Sequence, residues 1–215
     1  MTPTVKVIIF DLDGTLVNSQ PLQYKAYNQV FSKHGYSMTR ADWDEWIHQG
    51  HSAHSWVEKH NLLIDAEMVR ADKKRLYDEL IKDELELMPG AAFLTEQLVG
   101  KYRLCVASSS RIESVNACLQ KFDLHTRFEM VISDAEEVRG KPYPDIFLRA
   151  AELMNVRPEE CLVIEDSIAG LKAAKAAGMR CIICPDSFSN IPLPEFNEAD
   201  HLVTNLRDVL ELGLV

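Results

Sequence analysis

Five short apolar runs recur along the 215-residue chain: VKVIIF (residues 5–10), RLCVAS (103–108), EMVIS (129–133), CLVIED (161–166) and RCIIC (180–184). Each stops where small or polar residues begin. Between most of them, apolar residues return every three or four positions, as in IESVNACLQKF, YPDIFLRAAELM and SIAGLKAAKAAG, which is the period of a half-buried helix. Strands that are apolar throughout, rather than alternating, are covered on both faces. Strands separated by helices of this length are parallel. The pattern therefore predicts an α/β fold, an open parallel sheet with helices on both faces.

One segment breaks the alternation. Between residues 18 and 87 no strand-like run occurs, and helical periodicity with abundant charge takes over, as in QPLQYKAYNQVFSKHG and DAEMVRADKKRLYDELIKDELEL. Gly35, Gly50 and Asn61 divide the stretch into about four helices. A block this long between the first two strands exceeds an ordinary crossover. It is expected to be a separate helical cap inserted after the first strand, giving a core of residues 1–17 and 88–215 and a cap of 18–87. The chain re-enters the core near MPGAAF.

The formal net charge of −10, with scattered basic residues, argues against a nucleic-acid partner, since neutralising phosphates needs clustered Lys and Arg. Every apolar run falls short of the ~18 residues that suggest a membrane span, so no membrane partner is expected. The start MTPTVKVIIFD has no signal-peptide layout, so a cytoplasmic protein is expected. No dimerisation stripe is evident, and a monomer is the default. The five cysteines do not form a disulfide framework. Cys181 and Cys184 make a C-x-x-C, but inside a run that reads as a buried strand, so they are expected to be structural. His51, His54 and His60 lack a partner pair at ligand spacing, and His51 and His54 are expected to face substrate or solvent.

Ligands of open parallel sheets bind beyond the carboxyl ends of the strands, so the strand ends carry the functional reading. The first delivers Asp11 and Asp13, the second Ser108, Ser109 and Ser110 with Arg111, and the fourth Glu165 and Asp166. Before the fourth lies RGKPYPD, where Gly140, Pro142 and Pro144 hold Lys141 on a stiff turn. Like charges as close as Asp11 and Asp13 repel and call for a cation. Several carboxylates together make a hard oxygen site suited to Mg²⁺. Hydroxyls and a lysine suit the remaining oxygens of a phosphoryl group. One Asp of the pair can attack phosphorus while the other carries the proton.

The combination of FDLDGT, VASSSR, GKPYPD and VIEDSIAGLKAAKAAGM resembles the haloacid dehalogenase-like hydrolase superfamily, in its branch of small-sugar phosphatases and β-phosphoglucomutase-like proteins. The resemblance spans nearly the whole chain. It implies a Rossmann-like core with strand order 3-2-1-4-5 and a four-helix cap. By matching positions it makes Asp11 the nucleophile, Asp13 the general acid and base, Ser108 and Lys141 the phosphate binders, and Asp166 a Mg²⁺ ligand. The backbone carbonyl of Asp13 is a further ligand, and Glu165 is a ligand or an outer partner. Ser109, Arg111, Gln23, His51 and His54 are the candidate substrate-binding residues. The superfamily's dehalogenases lack the second Asp of the first motif, so Asp13 points to phosphate chemistry. Mutases of the branch carry a His where Gln23 aligns and an Arg where GHSAH places Ala53. The expected function is thus a Mg²⁺-dependent phosphatase of small phosphorylated metabolites, sugar phosphates leading. A sugar phosphomutase and a non-catalytic phosphate-ligand-binding domain are the alternatives.

Overall fold

The computed structural model describes residues 4–49, 51–133, 139–186, 188 and 194–213. Strand β1 (Val7–Phe10) is followed by four helices, α1 (Gln20–Ser32), α2 (Arg40–Gln49), α3 (Ala53–Lys59) and α4 (Ala66–Glu84). The chain then alternates through α5 (Ala91–Leu98), β2 (Arg103–Ser108), α6 (Ile112–Lys121), β3 (Met130–Ser133), α7 (Asp145–Leu153), β4 (Cys161–Glu165), α8 (Ile168–Ala176) and β5 (Arg180–Ile183), with β6 (His201–Leu202) near the end. Two compact units result, one from the chain up to Asn18 and from Glu86 onward, the other Ser19–Leu85.

In the first unit all six strands are parallel, in the order β3-β2-β1-β4-β5-β6. This is the expected order 3-2-1-4-5 with β6 added beside β5. β1 is central and fully buried. Val7 and Ile9 share one face with Cys105, Ala107, Cys161 and Val163, and pack there against Phe147 and Ala150 of α7 and Leu171 and Ala174 of α8. The chain leaves and re-enters this unit through a short pairing. Asn18 N–H donates to the Glu86 carbonyl at 2.9 Å, and Met88 N–H to that of Leu16 at 3.0 Å.

The helical unit has its own aromatic interior. Phe31, Trp43, Trp46 and Trp56 are buried, with Tyr27 4.6 Å from Trp46 and Trp46 5.3 Å from Trp56, centroid to centroid. Its helices are locally encoded. Ser52 and Ser55 close a capping box at the start of α3, and the Asp65 carboxylate accepts from Glu67 N–H at 2.8 Å to start α4. Such caps satisfy backbone donors that the first turn leaves open.

All five cysteines are free and buried. Burial pushes the Cys184 thiol up to about 11 and raises that of Cys181, disfavouring the thiolate that redox or zinc chemistry requires. Among the described residues, no helix is long and apolar enough to cross a membrane.

Candidate active site

Register fixes the site. Phe10 is the Cα partner of Val106 on β2 and of Ile164 on β4, so Asp11, one residue beyond, lies between Ala107 and Glu165. Its N–H still donates to the Ile164 carbonyl at 3.0 Å. Successive residues of a strand alternate faces, and Asp11 continues the face of Val7 and Ile9. Lys141, from the turn before α7, enters on that face. Its Nζ reaches all three strand ends: Asp11 Oδ1 at 2.5 Å, Glu165 Oε1 at 2.7 Å and the Ala107 carbonyl at 3.3 Å. Lys141, Asp11 and Glu165 are almost wholly buried.

Glu165 is held at its other oxygen as well. Oε2 accepts from Asp166 N–H at 2.9 Å, Ser167 N–H at 2.8 Å and the Ser167 hydroxyl at 2.9 Å. Ser167 caps α8, its Oγ accepting from Gly170 N–H at 3.0 Å. The start of a helix favours negative charge. Two glycines make room for the acids. A Cβ on Gly170 would lie 1.8 Å from Glu165 Oε1, and one on Gly14, where φ is +89°, would lie 2.2 Å from Asp166 Oδ2.

One ammonium cannot neutralise every acid around it. Burial acts to raise the carboxyl of Glu165, but Lys141 and the Ser167 donors outweigh it and hold Glu165 below the usual range. Asp11 lacks those extra donors. Burial, opposed by Lys141 and reinforced by Glu165 and Asp13, pushes it from 3.8 up to about 8. Asp166 is raised well above the carboxylate range by burial, then by Glu165, Asp11 and Asp186. Lys141 shows the converse: burial works against its charge, but Asp11 and Glu165 prevail and raise it.

One oxygen from each of Asp11, Glu165 and Asp166 lies within 4.8 Å of the others. Three carboxyl groups facing one lysine are more acid than it can neutralise, and all the donors are hard oxygens. That set fits a divalent cation such as Mg²⁺. Among the described residues no other group of His, Cys, Asp or Glu converges in this way, the histidines of the helical unit included.

The side chain of Asp13 stands apart from that trio. Its Oδ2 accepts from the Ser110 hydroxyl at 2.7 Å. Ser108 is buried at the end of β2, where its Oγ accepts from Ser110 N–H at 3.0 Å. Ser109 and Arg111 are exposed, Arg111 immediately before α6. Within the helical unit, Gln23 Oε1 accepts from Lys73 Nζ. His51 is half-buried, 3.2 Å from the Ser55 hydroxyl through Nδ1 and edge-on to Trp56 at 5.0 Å. His54 is exposed, 3.7 Å from Glu67. Gly50 lies outside the described residues.

Sequence reasoning missed five participants. Ser110 stood in the serine run with nothing to rank it above its neighbours. Gly14 and Gly170 act by the space they leave. Asp186, buried beyond β5, follows a run that read only as a strand. Lys73, which also lies 4.4 Å from the Tyr77 ring centroid, was one of many charges on an amphipathic helix.

Two outcomes follow from this geometry. A carboxyl raised by folding holds its proton more tightly in the native chain than in the unfolded one. Its stabilising contribution is complete below the ordinary value of 3.8 and is lost as pH rises through about 8. Metal-free protein should therefore melt at progressively lower temperature from about pH 4 to pH 8, and Asp11→Asn should flatten that slope. Melting curves in chelator check this, and an unchanged slope would contradict it. Gly170→Ala should lower stability by about 1–3 kcal/mol, the usual effect of overpacking a filled site. Urea unfolding measures it.

The chain matches the haloacid dehalogenase-like hydrolase family over residues 5–178. It is 29% identical to the phosphorylated carbohydrates phosphatase of Thermotoga maritima, over 83% of this chain and 84% of that one. It is 28% identical to the fructose-1-phosphate phosphatase YqaB of Escherichia coli, over 81% of this chain and 94% of that one. The crystal structure of a point mutant of CbbY from Rhodobacter sphaeroides, in complex with xylulose-(1,5)bisphosphate, superposes with a TM-score of 0.81 at 28% identity, covering 98% of this chain and 97% of that one. By its match over most of its length and by the strand-end acids that carry it, the chain belongs to the haloacid dehalogenase-like hydrolases.

Proposed function

We propose that this protein is a Mg²⁺-dependent phosphatase that hydrolyses small phosphomonoesters, sugar phosphates foremost, through an aspartyl-phosphate on Asp11. The observation that carries the reading is the buried Lys141 bonded to Asp11 and Glu165 at adjacent strand ends, with Asp166 beside them. The named activities of the Thermotoga and Escherichia relatives support the substrate class.

Asp11 and Asp166 would hold the Mg²⁺, with the backbone carbonyl of Asp13. Glu165, both of whose oxygens are already engaged, serves as the outer carboxylate. Bound there, the ion supplies positive charge between the carboxylates and a phosphate dianion. Lys141 and Ser108 bind phosphate oxygens, and Lys141 also steers Asp11. An Asp11 oxygen forms a bond to phosphorus as the ester P–O bond breaks, and Asp13 gives its proton to the departing alcohol oxygen. Water then bonds to phosphorus while the Asp11–phosphorus bond breaks, and Asp13 takes the proton back. The helical unit serves as the cap that selects the organic part of the substrate. Ser109 and Arg111 of the first unit and Gln23, His51 and His54 of the helical unit are the residues proposed to contact substrate.

Hydrolysis is preferred over phosphoryl transfer between sugar carbons because a mutase needs a cation to grip the second phosphate. At the position where mutases place that Arg, this chain has Ala53, buried at the first turn of α3. The free, buried cysteines accord with a reducing, cytoplasmic setting.

Phosphate release across a panel of sugar phosphates, phosphoglycolate and nucleotides should be strongest with sugar phosphates. Asp11→Asn should abolish it, because an amide of nearly the same shape cannot form the acyl phosphate. Substantial turnover by freshly purified Asp11→Asn would overturn the nucleophile assignment. Exhaustive chelation should also abolish release and Mg²⁺ restore it. Ca²⁺ should fail to restore it, since it takes more ligands at longer bonds and invites bidentate carboxylates. Full activity in chelator would exclude a metal-dependent reaction.

A further inference from the structure

We infer that Ser110 is a positioning residue for Asp13, aiming its carboxyl for both proton transfers. The inference rests on the acid and base role proposed for Asp13. Three hydrogen bonds converge on Ser110. Its N–H donates to Ser108 Oγ at 3.0 Å, its carbonyl accepts from Ser133 Oγ at 2.7 Å, and its own hydroxyl donates to Asp13 Oδ2 at 2.7 Å. Ser108 and Ser133 are themselves Cα partners at the ends of β2 and β3. Two adjacent strand ends thus grip Ser110 at both backbone groups, leaving its side chain as the part that reaches out. Asp13 is 97 residues away in sequence and lies on the loop after β1, whose own backbone does not fix a side-chain rotamer.

A carboxyl on one methylene swings freely unless an oxygen is anchored. With Oδ2 held by a hydroxyl from a fixed backbone, the other oxygen of Asp13 is presented in one direction. Ser110 keeps its proton throughout. In the first half-reaction the proton on Asp13 passes to the leaving oxygen as the Asp11–phosphorus bond forms. In the second, a proton from water passes to Asp13 as that bond breaks. An anchor that is neutral and only donates can serve both halves, since carboxylate and carboxylic acid each keep an oxygen that accepts.

The dependence of rate on the leaving group separates aiming from binding. p-Nitrophenyl, phenyl and benzyl phosphate are close in size, and their leaving oxygens become progressively more basic, so need for an aimed acid rises along the series. In Ser110→Ala, kcat/KM for p-nitrophenyl phosphate should stay within about twofold of wild type while that for benzyl phosphate falls about tenfold, the scale of one hydrogen bond to a charged group. With p-nitrophenyl phosphate, kcat and KM should fall together as water attack on the phosphoenzyme slows, and a burst of p-nitrophenol should appear. Ser110→Thr, which keeps a hydroxyl, should remain near wild type on all three substrates. Ser133→Ala should repeat the Ser110→Ala pattern more weakly. Equal losses of kcat/KM across the series would mean that Ser110 serves phosphate binding or folding, and no loss with benzyl phosphate would mean that it does not aim Asp13. Either result overturns the inference. Asp13→Asn, measured alongside, tests the underlying reading separately. If it keeps wild-type rates on all three substrates, or if wild type releases no phosphate, the proposed mechanism fails and the role of Ser110 falls with it.

Discussion

The ammonium of Lys141, shared between Asp11 and Glu165, is the interaction around which the core is arranged. A parallel sheet brings its strand ends to one edge, and in-register pairing puts Ala107, Asp11 and Glu165 side by side on one face. A single cation entering on that face can therefore meet three strands at once, as the bonds to Asp11, Glu165 and the Ala107 carbonyl record. The bonds also hold the turn before α7 against the sheet. Desolvating a lysine and several carboxylates is costly, and such a cluster often stabilises a fold less than apolar residues of the same volume would. Its presence is more readily understood from the acidic oxygens it gathers at the sheet edge in excess of what one lysine can neutralise, a set that a divalent cation can use.

Two glycines and one helix start make the cluster possible. Glu165 stays ionised in the interior because Lys141 and the first residues of α8 surround it with donors, and it can lie there only because Gly170 has no side chain. Gly14 does the same for Asp166 while adopting a left-handed conformation that turns the chain away from β1. In both DGT and DSIAG, the glycine therefore belongs to the chemistry as much as to the backbone.

Much of this was legible in the sequence. The five apolar runs marked β1 to β5 because burial on both faces forces continuous apolar composition. Asp11, Ser108, Glu165 and Asp166 could be named because each lies at the end of such a run, and Lys141 because Gly140 and two prolines set it on a stiff turn. β6 was not legible, since two residues, His201 and Leu202, carry no periodicity. Nor was the division of labour among Ser108, Ser109 and Ser110. Three identical side chains in a row differ only in where the backbone points them, which the end of β2 and the grip of Ser133 decide. His51 read as a group facing substrate or solvent, yet one edge of it packs on Trp56 beside Ser55. An imidazole on an amphipathic segment gives no hint of which neighbour it will find.

The two aspartates that end β1 illustrate how far environment can separate identical residues. Asp11 still follows the strand, so it inherits the buried face, the lysine and the neighbouring acids, and its carboxyl is driven up to about 8. Asp13 lies beyond the edge, next to the turn at Gly14, where it is more open and accepts from the Ser110 hydroxyl. The nucleophile role proposed for Asp11 needs a fixed position and a positive neighbour that favours its ionised form. The proton-carrier role proposed for Asp13 needs access to water and an aimed oxygen. The D-x-D spacing supplies both from one strand end, because a single intervening residue is enough to carry the second carboxylate out of the sheet's interior.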